Sequence, residues 1–191
     1  MKQKIILFAS RNGTNAENIC HFFEHVPKVE IAGVYTNNSS AGVIQRLEPL
    51  GLQVEVFDRN AFQDGTLLSQ IQCKQPNLIV LAGFLWKIGQ DWARAFPDTI
   101  VNIHPALLPK YGGKGMYGQH VHQAVKDNRE TETGITIHYV NEAYDEGAII
   151  FQKKVSLHPD DSTEDIAAKV HQLEYTHFPK VIHSLLNKDA P

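Results

Sequence analysis

Five short apolar runs, at residues 4–9, 29–35, 53–57, 78–82 and 100–103, alternate with stretches of helical spacing at 14–25, 41–50, 61–74 and 89–95. Strict alternation of this kind leaves few folds open. Each pair of runs with its intervening helix forms a right-handed βαβ unit, and successive units build a parallel sheet. The first half is therefore read as doubly wound. Beyond Pro109 the pattern changes to a glycine-rich loop, a helix near 120–128, and two β-rich stretches at 134–140 and 148–157 that extend the sheet as a hairpin. The segment 162–186 has Asp161, Ser162 and Thr163 as candidate N-caps and spaces Ile166, Val170, Leu173 and Phe178 helically. That predicts a long final helix, bent at Pro179. The expected class is α/β: a Rossmann-like, doubly wound, mainly parallel sheet with a β-extension and a long C-terminal helix.

Composition agrees with this reading. With 42% hydrophobic and 20% charged residues, the 191-residue chain has the apolar content of one globular domain, 1–191, rather than of a disordered segment or coiled coil. A formal net charge of −3 gives no overall attraction to nucleic acid, so a small substrate is expected. Cys20 and Cys73 fall in different predicted helices without metal-ligand spacing. That argues against a disulfide framework or a zinc site and for the reduced cytosol. The apolar run at 5–9 is too short for a signal-peptide core or a membrane span, and no other run reaches membrane length, so a cytoplasmic protein is expected.

Chemistry concentrates where the fifth run ends, at Asn102-Ile103-His104-Pro105. In an extended strand residues two apart share a face, so Asn102 and His104 present an amide and an imidazole together. An amide donor beside a titratable base suits a carbonyl that has to become an oxyanion, although a polar pair at a strand end also serves simply to form a turn. The first run ends in Ser10-Arg11-Asn12-Gly13-Thr14-Asn15. Small polar residues there leave backbone N–H groups open at a helix N-terminus, where a phosphate is the natural guest; a plain turn capped by Asn12 or Thr14 is the alternative. A lone Gly13 matches neither the dinucleotide fingerprint nor the nucleoside triphosphate loop, which leaves a phosphate monoester. After the fourth run, Gly83-Phe84-Leu85-Trp86-Lys87-Ile88 offers an apolar and aromatic wall with one cation. Such a wall suits a flat heteroaromatic ring, with ordinary core the simpler reading of Phe84 and Ile88. The segment from Asn141 to Gly147 reads as a plain turn or as one that returns Asp145 to the sheet edge of His104, where a carboxylate favours the protonated imidazole.

Taken in order, the stretches 10–15, 81–84, 102–109 (Asn-Ile-His-Pro-Ala-Leu-Leu-Pro), 134–138 (Gly-Ile-Thr-Ile-His) and 145–147 (Asp-Glu-Gly) carry a resemblance. Over nearly its whole length the chain resembles the folate-dependent phosphoribosylglycinamide formyltransferase family of the formyltransferase superfamily. The resemblance implies the formyltransferase fold and transfer of a formyl group from 10-formyltetrahydrofolate, a cosubstrate, to the amine of 5'-phosphoribosylglycinamide. The products are formylglycinamide ribonucleotide and tetrahydrofolate, in purine biosynthesis, with no metal. By the same resemblance Asn102 and a protonated His104 stabilise the oxyanion, and Asp145 orients His104 and relays a proton through water. Gly13, Thr14 and Asn15 cradle the phosphate. Glu174, otherwise a solvated helix carboxylate, hydrogen-bonds the ribose hydroxyls. The folate lies between Leu85, Trp86, Lys87 and Ile88 on one side and the segment from Val140 and Asn141 to Asp145 on the other. Residues 1–109 form the phosphate-binding βαβ half, and 110–191 carry the folate loop, the β-extension and the final helix. The partners implied are small molecules, without nucleic acid or membrane, and the assembly a monomer or homodimer.

Two departures from the family pattern stand out. Trp86 occupies a position where arginine is common, which leaves backbone rather than side-chain contacts for the pterin. The loop at 110–122 is longer than the common version and contains four glycines; it reads as a lid that excludes water or as a tolerated insertion. His120 and His122 suit a helix start better than a metal site, and His138 a strand position that supports the site. Two rival functions use the same residues. One is a hydrolase that releases formate with Asn102, His104, Asp145 and water; such enzymes usually carry an extra N-terminal domain. The other is a non-catalytic module for a phosphorylated ligand. A methionyl-tRNA enzyme fits less well, given the acidic balance and the lack of an RNA-binding segment after the last helix.

Overall fold

Ile5 and Leu7 point to one side of the first strand and Ile6 and Phe8 to the other, and all four are buried to within 1%. A strand with apolar side chains on both faces needs a layer of helices on each. The computed structural model, which describes residues 2–188, has both layers. Its sheet contains seven strands: β1 (Gln3–Phe8), β2 (Val29–Thr36), β3 (Val54–Val56), β4 (Leu78–Leu81), β5 (Ile100–His104), β6 (Glu132–Tyr139) and β7 (Ile149–Ser156). They lie in the order β3-β2-β1-β4-β5-β6-β7. The first five are parallel, β6 is antiparallel to β5, and β7 antiparallel to β6. The expected doubly wound sheet with its hairpin extension is thus the observed one.

Helices α1 (Thr14–Glu24), α2 (Gly42–Leu47) and α7 (Thr163–Lys188) cover one face, through residues such as Ile19, Leu47 and Phe178. Helices α3 (Arg59–Gln63), α4 (Thr66–Lys74) and α5 (Gln90–Ala95) cover the other, through Phe62, Ile71 and Trp92. Helix α6 (Gln119–Asp127) joins α7 in a small third cluster of Ala106, Val121, Val125 and Ile166. The chain winds outward from β1 through β2 to β3, then returns to set β4 on the free edge of β1. That reversal opens a crevice at the carboxyl ends of β1 and β4, the usual ligand position in such sheets.

Two local details differ from expectation. The stretch 61–74 is two helices, not one: Asp58 caps α3 by accepting from the Ala61 N–H at 2.8 Å, and Gly65, at φ +87°, turns the chain before α4. The stretch 41–50 leaves α-helical geometry after Leu47 and ends as a 3₁₀ turn, Glu48–Leu50, around Pro49, because proline has no N–H for the helical ladder. The final helix starts as a reciprocal capping box, in which Ser162 Oγ accepts from the Asp165 N–H at 3.1 Å and Asp165 Oδ2 from the Ser162 N–H at 2.9 Å. It continues without a break through Pro179.

Pro179 cannot donate to the carbonyl four residues back, that of Tyr175. Asn18 Nδ2 on α1 donates to it instead, at 3.0 Å. The helix is therefore continued by a neighbour's side chain. Both cysteines are free, and burial with the nearby Glu17 pushes the Cys20 thiol up to about 12. Among the described residues no helix is long and apolar enough to cross a membrane. Asn18→Ala should destabilise the protein by about 1 kcal/mol, the usual net worth of such a bond. In a Pro179→Ala background, where the backbone regains its own donor, the same change should cost less; urea denaturation of the four proteins measures the difference, and equal costs would reject the coupling.

Candidate active site

The carboxyl end of β5 pairs with β6 so that Asn102 faces His138 and His104 faces Thr136. Directly opposed residues of an antiparallel pair point to the same face. The four side chains therefore gather on one patch, while Val101, Ile103, Ile135 and Ile137 enter the core on the opposite face. His138 Nδ1 lies 2.8 Å from the Tyr139 carbonyl. A carbonyl only accepts, so Nδ1 carries the proton and Nε2 is left to accept from Asn102 Nδ2, at 3.2 Å. This fixes the amide of Asn102 with its nitrogen toward β6.

His104 is 3% exposed, and its Nε2 donates to the Tyr111 carbonyl at 2.7 Å. Its Nδ1 stands 3.6 Å from Asp145 Oδ2, while the other carboxylate oxygen, Oδ1, stands 3.6 Å from His138 Nε2. One carboxylate thus lies between two imidazoles. Burial pushes His104 below the ordinary imidazole value, with Asp145 and the Tyr111 carbonyl pulling the other way. Burial alone would raise the Asp145 carboxyl, but His138, His104 and the Gly113 N–H, which donates to Oδ2 at 2.9 Å, outweigh it and hold it below the ordinary carboxylate range.

Two local devices place these groups. Asp145 sits at φ +55°, a left-handed conformation tolerated by aspartate. The turn then closes on Gly147, where a Cβ would fall on the Tyr139 carbonyl; only glycine lets the loop return so tightly to the end of β6. On the other side, the Thr136 hydroxyl, fully buried, donates to the Ala106 carbonyl at 2.7 Å and accepts from the Leu108 N–H at 3.0 Å and Gln152 Nε2 at 2.9 Å. It pins the chain that leaves His104.

At the far end of the same cavity, Gly13 precedes α1 in a left-handed conformation, φ 72°, and no side chain caps the helix. Its first N–H groups remain open to an anion. Asn15 Nδ2 donates to Glu174 Oε2 at 2.9 Å, and the same oxygen lies 2.9 Å from His171 Nδ1. Glu174 is 5% exposed, which rules out the alternative of a solvated helix carboxylate; contact with it raises His171. His122, 2% exposed, adds its ring 6.2 Å from that of His171, and its Nδ1 has no partner. It stands at the start of α6 as the sequence suggests, but its ring faces the cavity.

The middle of the cavity is bounded by the segment after β4. The Ser10 N–H donates to the Gly83 carbonyl at 3.1 Å, and Ser10 Oγ accepts from the Leu85 N–H at 3.0 Å, which ties this segment to the loop after β1. Ile88 is a core residue that also lines the cavity. The Trp86 ring packs on Phe57 and Phe62 beneath the guanidinium of Arg59, 4.4 Å away. Lys87 lies over the ring of Tyr144, 5.4 Å from its centroid, so the two segments expected to flank the folate meet there. Asn141 makes the expected turn by accepting from the Ala143 N–H at 2.9 Å. The enclosed volume is about 720 Å³. Gly13, Thr14 and Asn15, the 85–88 segment, Asn102 and His104, Val140, Asn141 and Asp145, and Glu174 all line it. Sequence reasoning gave no part to Tyr111, Gly113 or Thr136, whose contacts are through backbone or long-range, nor to His171, although its i, i+3 spacing to Glu174 on one helix was there to read. Among the described residues no group of three or more His, Cys, Asp or Glu side chains is arranged to hold a metal ion.

A family model described as formyl transferase matches residues 3–182. The chain is 35% identical over 188 residues to a phosphoribosylglycinamide formyltransferase of Haemophilus influenzae, covering 94% of this chain and 85% of that one. It is 33% identical over 190 residues to the Bacillus subtilis protein of the same name, covering 96% and 95%. The crystal structure of phosphoribosylglycinamide formyltransferase from Bacillus halodurans superposes with a TM-score of 0.87 at 32% identity, covering 97% of this chain and 96% of that one.

Burial, reinforced by His171 and His104 and opposed by Glu174, lowers His122 to about 4. The unfolded chain protonates this imidazole near the ordinary value of 6.5, the folded protein only near 4, so the folded state loses stability as pH falls through that window. The loss amounts to roughly 3 kcal/mol. His122→Leu should remove it, flattening the acid limb of a urea stability profile; an unchanged limb would contradict the assigned burial.

Proposed function

The chain belongs to the formyl transferase family, and on that footing we propose that it transfers the formyl group of 10-formyltetrahydrofolate to the amine of 5'-phosphoribosylglycinamide. One observation carries the reading: Asn102, His104 and Asp145 converge on one end of a cavity whose other end is an uncapped helix N-terminus. A phosphate at that terminus sets the substrate's amine toward the strand end. The pterin occupies the wall formed by Leu85, Trp86, Lys87 and Ile88 with Val140 and Asn141. Because the Trp86 ring is engaged with Arg59 and the aromatic core, backbone groups of this segment read the edge of the pterin. Glu174, held between Asn15 and His171, accepts from the ribose hydroxyls.

Attack forms a bond from the amine nitrogen to the formyl carbon and moves the carbonyl π electrons onto oxygen. The Asn102 amide and the His104 ring stabilise that oxyanion. His104 starts with a depressed proton affinity, and the developing negative charge beside it, added to Asp145, raises that affinity, so the ring takes a proton from solvent as the oxyanion forms and returns it on collapse. Collapse restores the carbonyl and expels the folate nitrogen. That nitrogen takes up a proton while the new amide nitrogen loses one, and Asp145 relays it through water. In the free protein the His104 Nε2–H is occupied by the Tyr111 carbonyl, so the 110–118 loop moves when this N–H turns to substrate, as a lid does. Every assigned residue comes from a single chain, so a monomer and a homodimer serve equally. We place the reaction in the cytoplasm.

The experiment is spectrophotometric: formation of deformylated folate with and without phosphoribosylglycinamide. Product only with the amine present supports transfer; product without it supports the hydrolase. Asn102→Ala and His104→Ala should each lower kcat by about 10²–10³, with substrate KM changed only a few-fold. Asp145→Asn should also reduce kcat, and normal turnover in any of the three would overturn the assigned roles.

A further inference from the structure

In the loop that follows β1, Gly13, Thr14 and Asn15 hold the phosphate in the proposed reaction, while Arg11 has no part in it. Its side chain is exposed and lines the cavity, and its guanidinium carbon lies 5.2 Å from the centroid of the Tyr117 ring. Among the described residues no carboxylate pairs with Arg11, whereas the neighbouring Arg46 is taken up by Glu17 at 2.8 Å and by the Asn12 carbonyl at 2.9 Å. An arginine on an aromatic shelf without a counter-ion is a fixed positive charge, its forked donors left open to an anion. A second observation marks the same end as unfilled. His122 and Asn15 both line this cavity, and His122 Nδ1, on an almost wholly buried side chain, and Asn15 Oδ1 are buried without a partner. Buried polar atoms are nearly always satisfied, so a polar ligand is what completes them.

Charge arithmetic points the same way. The N-terminus of α1 offers about half a positive charge, and a phosphate monoester brings nearly two negative ones. Tyr117 lies in the glycine-rich segment between β5 and α6. The same segment engages His104 through the Tyr111 carbonyl and Asp145 through the Gly113 N–H.

We propose that Arg11, shelved on Tyr117, is the charge-neutralising contact for the substrate phosphate, a clamp in which the loop after β1 and the long 110–118 loop close on the phosphate together. The clamp makes the enzyme selective for the phosphorylated glycinamide riboside, and it connects phosphate binding to the loop that occupies the catalytic pair. This rests on the formyl-transfer reading.

The test is a kinetic cycle over Arg11→Ala, Arg11→Lys, Tyr117→Leu, Tyr117→Phe and the Arg11→Ala/Tyr117→Leu double variant, with inorganic phosphate as a competing probe. Arg11→Ala should raise the KM for phosphoribosylglycinamide by about 30-fold and weaken inhibition by phosphate in parallel, with kcat and the folate KM little changed. Arg11→Lys should restore only part of the loss, since lysine lacks the fork. Tyr117→Leu should raise KM by a smaller factor that vanishes in the double variant, and Tyr117→Phe should behave as wild type. A KM within two-fold of wild type in Arg11→Ala, or unaltered phosphate inhibition, overturns the proposal. So does a fall in kcat and melting temperature without a KM effect, which would mark a structural role. If the wild type shows no amine-dependent turnover, the parent reading fails, and phosphate alone then decides for Arg11. Thermal protection by phosphate that is lost in Arg11→Ala upholds the anion site; equal protection, or none in either protein, rejects it.

Discussion

β1 pairs with β2 along one edge and with β4 along the other, and its side chains are buried on both faces. A strand so enclosed has no room to slip as a whole, because a slip of one residue would exchange the side chains of two differently shaped cores. The loops that leave the carboxyl ends of β1 and β4 inherit that rigidity. They are joined directly, through Ser10 to Gly83 and Leu85, so the two walls of the cavity that these loops line form one unit. The site is positioned by the most deeply buried part of the molecule.

The catalytic end is built differently. Asn102, His104, Thr136 and His138 are brought together by antiparallel pairing of β5 with β6, and the last member, Asp145, comes from a loop held by a left-handed aspartate and a glycine that cannot be replaced without a clash. Placing a carboxylate between two buried imidazoles is costly unless its lone pairs find donors, and here the Gly113 N–H donates to Oδ2. The loop after Pro109 thus gives a carbonyl to His104 and an N–H to Asp145. In the proposed reaction substrate displaces those contacts, so the loop takes part in that chemistry as well as in access. Its glycines allow the chain to be repositioned without side-chain penalties.

Much of this was legible in the residues. Period-two alternation and helical spacing are local, so they identified the parallel half, the hairpin extension and the long last helix. Motifs in fixed order along the chain located Asn102, His104, Asp145 and the loop after β1. Helix interruptions were less legible: the break at Gly65 and the continuity through Pro179 depend on Asp58, Asn18 and other partners whose contacts the spacing does not reveal. The bend expected at Pro179 follows from proline alone, whereas the unserved Tyr175 carbonyl finds Asn18 on a helix far away in sequence.

By itself the sequence determined which elements form, which faces they bury, and which residue types are available at each strand end, because those follow from nearest-neighbour geometry along one chain. Tertiary structure alone decided the partners: Asp145 between His104 and His138, Glu174 buried between Asn15 and His171, Arg11 upon Tyr117, and the Tyr111 carbonyl on His104. Each joins residues from separate segments, and their distances and protonation are set by burial and by through-space charge, which act between groups regardless of their separation along the chain.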